Sequence, residues 1–201
     1  MRQNMRRTAG VAAALAVTAA VLAGCSDDKS DDASASTTAT SAATTTSSAA
    51  AAKPVELTST DGKEVTLTGP IAAKYSAATD KQRKDLGKPK AGKGEAGTSE
   101  SGVVFQQFVG GVITAKNAEA GTPAFITWGK IRDAWNVKRD EHGKPSAHGK
   151  SGSNGPLGAA TSDETDEGTL KKSTFEHGEI TFDTKTDKIK VTVMGKEVAA
   201  K

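Results

Sequence analysis

The side chains able to act as nucleophile, base, metal ligand or stacking platform are few in this chain of 201 residues: one cysteine, three histidines and two tryptophans stand out. His142 and His148 lie six positions apart in a glycine-rich stretch, and His177 stands alone in "FEHG". Neither arrangement has the spacing of a zinc site. The serines of "GKSGSNG" lack the strand before and the helix after that a nucleophile elbow requires. Asp163 and Glu164 are adjacent, with Asp166 and Glu167 close behind. Adjacent carboxylates point in different directions, so capping or solvating a loop is their ordinary role, not paired acid and base work. The run "GKGEAGTSESG" has no Gly-Lys-Ser/Thr ending and makes no phosphate loop. The sequence predicts no catalytic residue, no metal and no cofactor, and hence a protein that is not an enzyme.

Cys25 is the only thiol, and it ends an apolar run from Ala9 to Ala23 that follows Arg2, Arg6 and Arg7. A basic start followed by a short apolar run is the pattern of an export signal. As a helix the run would reach roughly 22 Å, short of a hydrocarbon core of roughly 30 Å. One cysteine makes no internal disulfide, and an exported free thiol is a liability unless chemistry consumes it. Leu22-Ala23-Gly24-Cys25 resembles the bacterial lipobox, in which a diacylglycerol joins the cysteine sulfur and the signal peptide is cut just before it. The resemblance implies a lipid anchor on Cys25 and an extracytoplasmic protein on the outer face of the cytoplasmic membrane. The alternative is ordinary cleavage, leaving a soluble secreted protein with a stray thiol.

Removal of residues 1–24 takes three of the 27 basic residues and none of the 24 acidic ones, so the cut chain is balanced at 24 of each. That balance, with no basic patch interleaved with aromatics, argues against nucleic acid as a partner. Residues 25–52 hold the lipidation cysteine and then a run of Ser, Thr, Ala and Asp with no aromatic or large aliphatic residue. Such sequence cannot bury a core and is expected to be a disordered tether.

The remainder is self-similar. "VTLTGPI", "FITWGKI" and "VTVMGKEV" each end a β-rich run on a glycine, Gly69, Gly129 and Gly195, at intervals of 60 and 66 residues. The first two glycines are followed by isoleucine and, four positions later, by an aromatic: Ile71 with Tyr75, Ile131 with Trp135. That spacing puts the pair on one face of a helix. Further on, "LGKP" at Leu86 answers "LGAA" at Leu157, and "FVGGVI" at Phe108 answers "FEHGEI" at Phe175. The expected fold is α+β: two degenerate helix-plus-β-hairpin repeats packed together, residues 53–129 with a leading strand and residues 130–201. The stretch "EHGKPSAHGKSGSNGP" in the second copy is expected to be an exposed, mobile insertion.

This pattern of an isoleucine-plus-aromatic helix, Leu-Gly-x-Pro, Thr-Ser-Asp-Glu and Phe-x-x-Gly-x-Ile resembles the LGFP repeat of actinobacterial envelope proteins. The first copy keeps Leu86, Gly87 and Pro89; the second keeps Leu157, Gly158 and the run Thr161, Ser162, Asp163 and Glu164, with Ala160 at the proline position. The resemblance implies a non-catalytic envelope protein that binds or organises cell-wall polymer, its partner a wall glycan or another envelope protein. An accessory lipoprotein that binds a partner protein or small ligand is the rival reading. Binding is expected on the polar loops after Leu86 and Leu157, above all at Thr161, Ser162, Asp163 and Glu164. Trp128 and Trp135 bracket Gly129 and are the next candidates; they either pack in the core or stack on sugar rings.

Overall fold

The structure is a computed structural model that describes residues 52–201. Residues 1–51, which hold Cys25, the expected signal peptide and most of the expected tether, lie outside the described residues. The fold is mixed α and β, mostly β, and it opens with the hairpin β1 (Val55–Thr58) and β2 (Glu64–Leu67). Helix α1 (Gly69–Ala77) follows, with Pro70 in its first turn, where the missing N–H costs nothing. Helix α2 (Asp80–Leu86) starts in a capping box: Gln82 N donates to Thr79 Oγ1 at 3.1 Å and Thr79 N donates to Gln82 Oε1 at 2.8 Å.

Strands β3 (Ala96–Thr98), β4 (Val104–Gln107), β5 (Gly111–Ala115) and β6 (Ala124–Trp128) form a four-stranded antiparallel sheet in sequence order. Helix α3 (Gly129–Asn136) leads to a two-stranded ribbon, β7 (Val137–Arg139) and β8 (Pro145–Lys150), and a single 3₁₀ turn at Gly152–Asn154. A five-stranded antiparallel sheet, β9 (Thr165–Glu167), β10 (Leu170–Phe175), β11 (Gly178–Asp183), β12 (Lys188–Val193) and β13 (Lys196–Val198), completes the chain.

The glycine-rich insertion is therefore not a plain loop. Its hairpin is fixed by buried Arg139, whose guanidinium donates to Gly143 O at 2.9 Å, Ala199 O at 2.6 Å and Ala200 O at 2.8 Å. One buried cation thereby ties the ribbon to the C-terminal segment, and Gly152 and Ser153 of the following turn are buried as well.

Side-chain alternation decides how the layers stack. All five residues of β5 are buried, which requires cover on both faces of the first sheet. On one face, Ile113, Ala115 and Ile126 join Ile71, Ala72, Leu86 and Phe108 in a core under α1 and α2. On the other, Val112 belongs to a second core with Ile131, Trp135, Leu157, Phe175, Ile180 and Val191, and half-buried Phe105 and Phe125 pack against it. Helix α3 touches β5 and β6 of the first sheet and β11 and β12 of the second. It fills the space between the sheets.

The same local bonds occur twice. Val109 N donates to Lys88 O and Gly110 N to Leu86 O; Glu176 N donates to Ala159 O and His177 N to Leu157 O. Lys90 N donates to Gln107 O as Thr161 N does to Thr174 O, and the bridges Pro89 to Phe108 and Ala160 to Phe175 correspond. Gly87 and Gly158 follow their leucines with φ of 68° and 73°, a region that glycine occupies without the strain of a Cβ. Tyr75 stacks on Phe108 at 5.7 Å between ring centroids, and Trp135 on Phe175 at 5.4 Å.

The exposed face of the second sheet differs in kind. Phe105, Thr114 and Phe125 form one cross-strand row on the covered face of the first sheet. The row in the corresponding place on the second is Lys172, Thr181 and Lys190, beside Thr174, Glu179, Thr192 and Glu197. Leu170, 37% exposed at the start of β10, is the one large apolar side chain on that face, and the charged and hydroxyl side chains around it call for no further layer. The first sheet, by contrast, depends on its cover, since burial of each Val- or Phe-sized side chain contributes about 1.5–3 kcal/mol. A chain truncated at Gly129 uncovers Val112, Phe105 and Phe125, and circular dichroism is expected to show it largely unfolded; a sharp melting transition from that half would contradict the two-faced packing.

Candidate functional site

The residues expected to bind are placed by the segment between Leu157 and β10. Thr161 sits against β10, its Oγ1 2.9 Å from Thr174 Oγ1, and Ser162 Oγ accepts from Thr174 N at 3.0 Å. Asp163 reaches back to the first half of the fold: Oδ1 accepts from the Ile126 N–H of β6 at 2.8 Å, and Oδ2 is paired with the Lys74 ammonium on α1. Glu164 accepts from Lys171 at 2.9 Å, and Asp166 takes the same ammonium at 2.8 Å. The two carboxylates, Asp166 foremost, raise the Lys171 pKa above the ordinary lysine value. One lysine shared by two carboxylates offsets half of their charge and ties the two side chains together.

The two tryptophans lie in different surroundings. Trp135 is 4% exposed, and its indole N–H donates to Gly158 O at 3.1 Å, so that one edge is satisfied inside the second core. Trp128 is half-buried at the end of β6. Trp128 and Glu164 are brought together in a groove of about 600 Å³, whose other walls include Lys130, Lys171, Asp85 and Phe182. The Lys130 ammonium lies 5.1 Å from the centre of the Phe182 ring and is paired with Asp187. Trp135 lines a separate cleft of about 370 Å³ between the segment at Thr98–Val103 and the turn at Gly152–Asn154. The tryptophans do not share one platform.

One wall of that second cleft, with Thr98, Ser99 and Glu100, belongs to the polar loop after Leu86, whereas neither composition nor spacing pointed to the facing wall at Ser151–Asn154. Ser99, Ser101 and Ser153 close a triangle of hydroxyls with separations of 2.9, 3.1 and 3.1 Å, and Ser101 N donates to Asn154 Oδ1 at 2.9 Å. Three of these four bonds join residues more than fifty positions apart, and the only signal in the sequence is their small polar type. Among the described residues no three His, Cys, Asp or Glu side chains gather to hold a metal. His142 and His148 stand on the exposed ribbon, and His177 in the turn between β10 and β11.

The model of the LGFP repeat matches residues 86–143, which supports an LGFP-repeat protein. The match begins at Leu86, covers the whole first sheet, and continues through α3 to Gly143 in the β7–β8 turn. In that phase the unit contains the sheet together with the helix that covers its second face. No curated protein matches the chain.

Two outcomes follow for stability. Asp163→Ala leaves the N–H of fully buried Ile126 without its acceptor, and a buried donor left unpaired costs about 1–3 kcal/mol. Thermal melting should show a loss near the lower end of that range, since the carboxylate is partly exposed, whereas Thr161→Ala should change little. Glu176 bridges Lys116 at 2.8 Å and the Ala159 N–H at 3.0 Å; Lys116 first, then that N–H, hold its pKa below the ordinary glutamate value. The contribution is complete above the ordinary value and is lost as pH falls through the lowered one. The melting temperature of Glu176→Gln should therefore drop less than that of the wild type between about pH 7 and about pH 3.

Proposed function

We propose that the chain is a non-catalytic, lipid-anchored protein of the cell envelope that binds or organises cell-wall polymer, and that its fold is two copies of one helix-plus-hairpin unit. The observation that carries the reading is the LGFP match over residues 86–143, on a fold that presents open concavities lined by both polar and apolar side chains. The doubled hydrogen-bond pattern around Leu86 and Leu157 supports the two-copy reading, and the groove that holds Trp128 and Glu164 supports contact with a polar polymer. Anchoring is assigned to Cys25 from the sequence before it. Two acyl chains suffice physically, since each buried methylene contributes about 0.8 kcal/mol and a single chain holds only marginally.

Sedimentation with purified cell wall tests the reading. The wild-type protein should co-sediment and be displaced by soluble wall fragments. Cys25→Ala should move the protein from membrane to medium while leaving wall retention of the purified chain intact. An accessory factor would instead stay in the supernatant and be recovered with a single partner protein.

A further inference from the structure

The cleft beside Trp135 takes its floor from the first sheet and one wall from the second half of the chain. Phe105, Gln107, Val112 and Thr114 stand on the floor, on the face of β4 and β5 that looks toward α3, and Asn136 and Ser153 face them. Thr114 is 2% exposed, and its hydroxyl has no hydrogen-bond partner among the described residues. A buried hydroxyl without a partner is costly, and because Thr114 lines the cleft, a ligand pressed against the floor would be placed to supply the missing bond.

We infer that this cleft binds an uncharged sugar residue of the polymer, an inference that rests on the wall-binding reading above. A sugar ring offers C–H surface on its faces and hydroxyls around its rim. The cleft answers both, with aromatic surface from Phe105 and an edge of Trp135 and with hydroxyl and amide groups from Thr98, Gln107, Asn136 and Ser153. Its only formal charges are Glu100 and Lys150, one of each sign, so it offers no net attraction to an anionic unit. A single carboxylate also provides no partner for acid and base work on a glycosidic bond, so the ligand is held and not cut. At about 370 Å³ the space is within the roughly 300–1,000 Å³ of small-ligand sites. The serine triangle fixes its walls beforehand, which reduces the ordering cost of binding.

The test uses the full chain in detergent, with intact purified wall and the neutral polysaccharide released from it as probes. Thr114→Val keeps the shape of the side chain and removes only the hydroxyl. It should weaken polysaccharide binding roughly three- to tenfold, the effect of one hydrogen bond, with the melting temperature unchanged or raised. Gln107→Glu, which puts a charge on the floor, should weaken it at least as much. Lys150→Ala and Glu100→Gln should bind within about twofold of the wild type, with little dependence on salt. If the wild type binds and Thr114→Val and Gln107→Glu bind equally well, or if Lys150→Ala is the variant that loses binding, the inference is wrong while the wall reading stands. If the wild type is retained by no wall fraction, the wall reading fails, and this inference fails with it.

Discussion

The first sheet must be covered twice, and the rest of the architecture depends on that requirement. A strand such as β5, with Val112 on one face and Ile113 on the other both out of water, has no solvent side. Helices α1 and α2 supply one cover and α3 the other. Because α3 is shared with the second sheet, burial of Val112 and burial of Ile180 belong to one core. The polar links between the halves add direction to this contact. Asp163 to the Ile126 N–H, Asp163 to Lys74 and Glu176 to Lys116 all run from the second half to the first, and they fix how the sheets sit across α3.

Much of this was legible in the residues. The isoleucine and aromatic pairs located α1 and α3 and set their buried faces, and the Phe-x-x-Gly-x-Ile runs located the central hairpins of both sheets. These features were visible because local periodicity and turn chemistry express them within a few residues. Helix α2 went unread although Thr79-Asp80-Lys81-Gln82 carries a capping-box pattern, because its only buried side chain is Leu86 and it has almost no apolar period to notice. The β7–β8 ribbon was hidden for a different reason. Arg139 looks like a surface arginine in "VKRDEHG" and becomes a buried clasp only through the carbonyls of Ala199 and Ala200, sixty residues away.

The candidate site was legible in part. The run Thr161 to Glu164 was singled out as a binding loop for its charge and hydroxyls, yet polarity alone does not separate a side chain that meets solvent from one that meets the neighbouring layer. Asp163 meets the neighbouring layer, and Glu164 meets a lysine. The cleft between Ser99 and Ser153 could not be read, since its walls meet only after two distant turns come together. Small polar residues in glycine-rich turns carry no mark of that meeting.

The outer face of the second sheet sets a limit on valency. Where the first sheet offers Phe105 and Phe125 to the next helix, the second offers Lys172 and Lys190, whose charges would be buried by any further layer at a large desolvation cost. The described residues therefore contain one sheet–helix–sheet junction, along which open the cleft beside Trp135, the groove beside Trp128 and the hollow between Phe125 and Glu176. A site made by this junction occurs once among the described residues, so a ligand held there would gain nothing by avidity within the chain, and multivalent attachment would take several chains side by side.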